Sequence, residues 1–306
     1  MILSCTGGPP YVVHGPPGTG KTVTLIEAIL QLYKTQSNSV ILVCAASNSA
    51  ADHVFARLVT FKVRKGDILR LGSTFNHKQL KRCRIIVFTY ASADLLYPLH
   101  GRMGRFTHMF LDDAAQVSEP ETMIPISLVY RRNMVVVLSG DPLFFSKDSG
   151  LGKSFMERLC ELNCYKDGNK NYVTKLVRNY RSHKHILSQV LYKGDLVSCK
   201  EEDTLYLEAW KDFIPNPDFP VLFIGVQGVD ESEGNSLTSW FNRIEANEVV
   251  VVILYLICKG IKKGDIGVIT PYRQQVLKLR KALEMFDGLG SESGIKVGTV
   301  ESFEGP

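Results

Sequence analysis

The 306-residue sequence predicts an α/β protein of two lobes, each a mainly parallel sheet flanked by helices, with the second lobe incomplete. Three observations carry that prediction. Short apolar runs alternate with amphipathic stretches along the chain, the pattern of parallel α/β construction. The runs are nearly continuous in apolar residues, as strands covered on both faces are. A single Gly-rich loop, Gly15-Pro16-Pro17-Gly18-Thr19-Gly20-Lys21-Thr22, joins a strand-like run to a helical one near the start of the chain.

In chain order, the first half offers strands over Tyr11–Val13, Val40–Ala45, Ile85–Thr89, His108–Leu111 and Met134–Ser139. Between the first two, Val23, Ile26, Leu30 and Tyr33 fall at helical spacing and predict a helix over Thr22–Tyr33. The polar stretch Lys166–Asn171 then interrupts the pattern and places a domain boundary near residue 168, giving lobes 1–168 and 169–306. The second half resumes with strand Val221–Ile224, helix Asn242–Cys258, strand Ile266–Thr270, helix Arg273–Met285 and strand Ile295–Thr299. Pro- and Gly-rich loops over Pro215–Pro220 and Gly228–Asn235 are expected at the surface.

Composition narrows the class. Hydrophobic residues make up 45% and charged residues 22%, values of a soluble globular protein. The longest apolar run, Val249–Cys258, is too short to span a bilayer, and the N-terminus lacks the basic and apolar regions of a signal peptide. No membrane insertion is expected. Seven cysteines lie scattered with no C-x-x-C pair, which points to reduced thiols in a cytosolic or nuclear compartment and away from zinc. The net charge of +5, from 36 basic against 31 acidic residues, permits a polyanionic partner without demanding one.

The Gly-rich loop satisfies G-x-x-x-x-G-K-[ST] in strand–loop–helix context. Its glycines let backbone N–H groups turn around a di- or triphosphate. Lys21 then reaches the outer phosphate oxygens, and the Thr22 hydroxyl ligates Mg²⁺. The helix that follows points its positive end at the same place. A second acidic element is expected at a strand end, and Met109-Phe110-Leu111-Asp112-Asp113 supplies it. Asp112 would hold Mg²⁺ and Asp113 would act as general base on the attacking water. Two solvated acids after a core strand are the alternative reading.

Asp112-Asp113-Ala114-Ala115-Gln116, followed by Glu119-Pro120-Glu121, resembles the DEAGQ…EPE box of superfamily 1 RNA helicases. Within these the sequence is similar to the up-frameshift group and its Armitage and Moloney-virus-10-type branch. The stretches 15–31, 44–52, 88–96, 139–142, 176–183, 266–276 and 297–305 resemble further motifs of that branch, in the family's order. The resemblance implies two RecA-like lobes with Mg²⁺-ATP between them and single-stranded RNA across both. It adds Gln116 and Asp141 to the nucleotide-responsive residues, Tyr180 as an adenine-stacking ring and Arg181 as an arginine finger. Ser47, Asn48, Ser92, Thr270, Tyr272, Arg273 and Thr299 would form the RNA track. Short hydroxyl and amide groups on loops bind phosphate and sugar without reading sequence, and they equally serve turns and helix caps. For Tyr272 core packing is the alternative. The basic groups Lys78, Lys81, Arg82, Arg84, Arg102 and Arg105 read either as RNA contacts or as a solvated face. Small-RNA silencing proteins as partners and a cytoplasmic, granule-associated location are further implications of the family.

Four departures from the family pattern bear on the chemistry. Asp113 stands where the family has Glu, Phe144 where it has Gln, and Glu304 where Gln is expected. The sequence also starts close to the phosphate loop and stops at Pro306, before the family's last motif with its second arginine finger. An RNA helicase core is therefore the first expectation. The alternative is a degenerate or fragmentary paralogue that clamps nucleotide and RNA with little hydrolysis.

Overall fold

The computed structural model describes residues 8–61, 63–72, 80, 82–99, 106–131, 133–142, 153–166, 169–181, 188, 191–199, 213–214, 216, 221–232, 239–286 and 294–303. The chain divides into two compact units, Met1–Glu201 and Glu202–Pro306.

In the first unit the apolar runs become β1 (Tyr11–His14), β2 (Ile41–Ala45), β3 (Ile68–Arg70), β4 (Ile85–Thr89), β5 (His108–Leu111), β6 (Val135–Gly140) and β7 (Val173–Lys175). They form one sheet in the order β3-β4-β2-β5-β6-β1-β7, with every pair parallel. Helices α1 (Lys21–Thr35), α2 (Asn48–Thr60), α3 (Glu119–Val129), α4 (Phe155–Cys160) and α5 (Asn163–Lys166) supply crossover material. Parallel neighbours need such connections, because a tight turn cannot bring the chain back to the same end. Alternate residues of one strand feed two cores. Met109 and Leu111 of β5 pack with Phe88, Val136, Leu138 and Met156, while Phe110 packs with Leu25, Ile29, Leu32 and Val43. Both faces are therefore covered, which is why these strands read as continuous apolar runs.

Sequence expectation and structure part company at the domain boundary. Strand β7 pairs with β1 in register Val12↔Val173 to His14↔Lys175, and Leu176 N–H donates to the His14 carbonyl at 2.8 Å. The polar stretch at Lys166–Asn171 thus lies inside the first unit, which runs on to residue 201. Two short strands, β8 (Arg178–Asn179) and β9 (Val197–Ser198), then form a separate parallel pair. The sequence signals β3, β7, β8 and β9 weakly, because strands of two or three residues are too short to show a period.

In the second unit α6 (Arg243–Cys258) and α7 (Arg273–Glu284) pack together beside the parallel pair β10 (Gly267–Ile269) and β11 (Lys296–Gly298). Ala246, Val250 and Ile253 of α6 meet Leu279 and Leu283 of α7 and Val297 of β11. The Asn242 side chain caps α6 by accepting from Ile244 N–H and Glu245 N–H at 3.1 and 3.2 Å. Buried Gln275 ties the helices by accepting from Asn242 N–H and donating to the Asn242 carbonyl. One expected strand is absent. Val221–Ile224 has no ladder partner among the described residues and lies exposed, Phe223 to 92%. An apolar β-branched run signals a strand only if something covers it. No described helix is long and apolar enough to cross a membrane.

Candidate functional site

Parallel pairing fixes where the chemistry gathers. Strands β5, β6 and β1 are neighbours, and registers Leu111↔Leu138 and His14↔Gly140 bring their carboxyl ends to one edge. The Gly-rich loop follows β1, Asp112-Asp113 follows β5 and Asp141 follows β6. Open parallel sheets bind ligands beyond that edge.

The loop is anchored at its start by Gly15 N–H donating to the Gly140 carbonyl at 3.0 Å. The Thr19 hydroxyl closes the turn by donating to the Pro16 carbonyl at 2.7 Å, with Pro17 exposed at the turn. Gly20 caps α1 in the left-handed region (φ 84°). The first helical bond there runs from Thr24 N–H to the Gly20 carbonyl, so the N–H groups of Lys21, Thr22 and Val23 precede the ladder. A Cβ at Gly15 would meet Thr19 Oγ1 at 2.6 Å and Lys21 Cγ at 2.8 Å. The loop thus keeps the narrow, N–H-lined cradle that a phosphate fills, and the residues present fit a nucleoside triphosphate.

Around the cradle, Lys21 Nζ stands 3.7 Å from Asp113 Oδ1. The Thr22 hydroxyl donates to Asp112 Oδ2 at 2.9 Å. A hydroxyl and a carboxylate in contact beside a phosphate loop are the oxygen pair that fits Mg²⁺. Asp112 is held from below: its N–H donates to the Cys44 carbonyl, and its carbonyl accepts from the Tyr90 hydroxyl. Asp113 adopts φ 47°. Asp and Asn tolerate the left-handed region better than longer side chains do, a backbone reason for aspartate here. Gln116 is half-buried, and its N–H donates to the Asp113 carbonyl at 2.9 Å.

Burial pushes the Asp112 carboxyl up to about 7, and the Asp113 charge adds to it, while the Thr22 hydroxyl and Lys21 oppose the rise. Burial also raises Asp113, against the pull of Lys21 and Arg181. Between the unfolded value near 3.8 and about 7, the folded chain keeps a proton on Asp112 that the unfolded chain releases. Stability from this group is therefore fully present below the lower value and is lost as pH rises through the upper one. Asp112→Asn removes the penalty. In nucleotide-free, chelator-treated protein at pH 8 it will raise the melting temperature by roughly 3 °C or more, the response of a unit this size to about 1 kcal/mol. Thermal scans at pH 5 and pH 8 check the slope.

Arg181 belongs to the first unit and meets the phosphate loop from within it. Its N–H donates to Asn179 Oδ1 at 2.9 Å, and Tyr180 N–H donates to the Gly18 carbonyl at 2.9 Å. A Cβ at Gly18 (φ 79°) would meet Asn179 Oδ1 at 2.6 Å and Arg181 Cβ at 2.8 Å. The charges of Lys21 and Arg181 both pull the Asp113 carboxyl down against its burial. Tyr180 is 58% exposed, which leaves its ring free to stack. Asp141 is buried, accepts from the Tyr192 hydroxyl and lies 3.7 Å from His14 Nε2. The residue-by-residue reading does not single out Asn179, Tyr192 or His14. Their signal was proximity, which only the fold supplies.

The residues expected on RNA divide. Ser47 caps α2 by accepting from Ala50 N–H, and Ser92 closes a turn onto Thr89 through both its N–H and its hydroxyl. Asn48 is exposed beside Ser47, at the carboxyl edge of β2. In the second unit, Thr270 and Thr299 follow β10 and β11, joined by Thr270 N–H to the Gly298 carbonyl, and Tyr272 and Arg273 open α7. Tyr272 is 46% exposed and is not core packing. Arg84 is structural: its guanidinium stacks on Tyr33 and donates to the carbonyls of Tyr33, Gln36 and Ser39. Arg82 is exposed, while Lys78, Lys81, Arg102, Arg105, Phe144 and Glu304 lie outside the described residues.

Two family models, each described as an AAA domain, match residues 2–79 and 151–306. The chain is 38% identical to RNA helicase Mov10l1 of Homo sapiens, over 97% of this chain and 28% of that protein. It is 37% identical to the putative helicase mov-10-B.1 of Danio rerio, over 99% of this chain and 35% of the relative. It is 32% identical to the probable RNA helicase armi of Drosophila melanogaster, over 97% and 31%. The chain thus spans about a third of the length of these relatives.

Proposed function

The chain belongs to the superfamily 1 helicases of the up-frameshift group, in the branch of the Armitage and Moloney-virus-10-type proteins, and we propose that it is the ATP-hydrolysing core of an RNA helicase. One observation carries the reading. Beyond the carboxyl edge of one sheet Lys21 pairs with Asp113, Thr22 bonds Asp112, and the charge of Arg181, whose backbone lies against Gly18, acts on Asp113.

Each residue has a role in that gap. The N–H groups at the start of α1 and the Lys21 ammonium hold the phosphates of ATP. Thr22 and Asp112 hold Mg²⁺, which when bound supplies neutralising charge to the phosphates. Asp113 takes the proton of the attacking water, kept ionised by Lys21 and Arg181. Arg181 places its guanidinium against charge that develops on the transferred phosphoryl group. Tyr180 covers the base, and Gln116 and Asp141 relay the state of the phosphate to their neighbours. Asn48 and the group Thr270, Tyr272, Arg273 and Thr299 bind the sugar–phosphate backbone of single-stranded RNA. By family likeness the protein serves small-RNA silencing in cytoplasmic ribonucleoprotein granules; co-purification with silencing proteins and imaging of the tagged chain test that context.

A clamp that binds without turnover is the second reading, and Asp113 favours it. Its carboxylate is a methylene shorter than glutamate, and a misplacement of about 1 Å costs on the order of 100-fold. ATP turnover, measured with and without single-stranded RNA, decides between them. Hydrolysis stimulated by RNA is the expected result; tight nucleotide binding with no hydrolysis establishes the clamp, and no nucleotide binding overturns both.

A further inference from the structure

We propose that Arg70 is a positioning residue for RNA binding, fixing the Asn48 amide so that its N–H₂ group faces a phosphate. The inference rests on the RNA-binding reading of Asn48. Arg70 ends β3, the edge strand of the first sheet, and Asn48 opens α2 just beyond β2, so both lie at the carboxyl edge. Arg70 Nη2–H donates to Asn48 at 2.8 Å, and Arg70 Nε–H donates to Asp52 Oδ1 at 2.7 Å. A third bond runs from Nη1–H to the Leu71 carbonyl.

The chemistry of the pair removes an ambiguity. An asparagine amide can present oxygen or nitrogen to a neighbour, and the two are often interchangeable. A guanidinium has no acceptor, so the atom it meets must be Oδ1. The amide is locked, and both N–H donors of Nδ2 are left on an exposed side chain at the sheet edge. A phosphate oxygen accepts from such a group; it cannot accept from Oδ1. Arg70 is itself no free cation, because Asp52 takes its charge and its own side chain is only 18% exposed. Asp52 lies one helical turn after Asn48 in α2, so one fork holds both residues in register.

The test is a double-mutant cycle on affinity for a single-stranded RNA oligonucleotide, read by fluorescence anisotropy at several salt concentrations. Asn48→Ala is expected to weaken binding about tenfold, as loss of a hydrogen bond to a charged group does. Arg70→Gln is expected to weaken it by a similar factor, with the double variant no weaker than the weaker single one. The slope of log affinity against log salt stays unchanged in every variant, since no phosphate contact by a cation is lost. Arg70→Lys, which keeps the charge but not the fork, behaves as Arg70→Gln. It serves as the second variant should Arg70→Gln melt early. Additive losses, or a slope smaller by about 0.7 in Arg70→Gln, overturn the proposal and make Arg70 a direct phosphate contact. Unaltered binding in both arginine variants overturns it outright. Wild-type chain that fails to bind RNA instead removes the reading on which the proposal rests.

Discussion

Lys21→Ala will lower RNA-stimulated ATP turnover by at least 10²–10³-fold, the cost of removing one preorganised donor from developing charge. Affinity for nucleotide will fall less, by roughly 10–100-fold, the worth of a charge-assisted hydrogen bond. The difference follows from where the ammonium sits. Its described partner is Asp113 Oδ1 at 3.7 Å, so in the nucleotide-free protein it serves the future base as well as the future phosphate. Deleting it removes a donor that the γ-phosphate needs most as its charge redistributes. It also removes the larger of the opposing charges that keep the buried Asp113 carboxyl from rising further. Single-turnover hydrolysis, alongside equilibrium binding of a non-hydrolysable analogue, separates the two losses. Equal loss in both would show that Lys21 only binds.

The parts of this site that the sequence reveals are those in which local chemistry and position coincide. The Gly-rich loop needs left-handed φ at Gly18 and Gly20 and a bare Cα at Gly15, so its residue types are dictated and readable. Asp112 is readable because a carboxylate directly after an apolar strand must emerge at the sheet edge. The five expected strands of the first unit are legible for a similar reason: burial on both faces forces continuous apolar runs. What stayed hidden is relational. Nothing local in Val173–Lys175 says that it adds to β1, and its pairing shifts the unit boundary from near 168 to 201. Nothing local in Arg84 separates a phosphate contact from a guanidinium that caps the carbonyls after α1. Val221–Ile224 shows the reverse error, with strand-forming residues in a segment that has no described ladder.

Arg181→Ala will have the larger catalytic effect, a fall in turnover of about 10³–10⁵-fold, with nucleotide affinity changed by less than tenfold. The asymmetry is built into how the residue is held. The backbone of its segment is docked by Tyr180 N–H on Gly18 and by Asn179 on Arg181 N–H, neither of which uses the guanidinium. Truncation therefore leaves the loop and its cradle in place and removes only charge. Arg181→Lys will not rescue, because a point charge lacks the planar fork that spans two phosphate oxygens. Asn179→Ala is predicted to cost less, since it loosens the segment without deleting the charge. A pH profile gives an independent reading. Arg181 lowers the proton affinity of Asp113, so its loss pushes that carboxyl further up. A base must be deprotonated to act, and the acid limb of the residual activity will move to higher pH. An unshifted limb with full loss of rate would place Arg181 on the phosphate alone, out of electrostatic reach of the base.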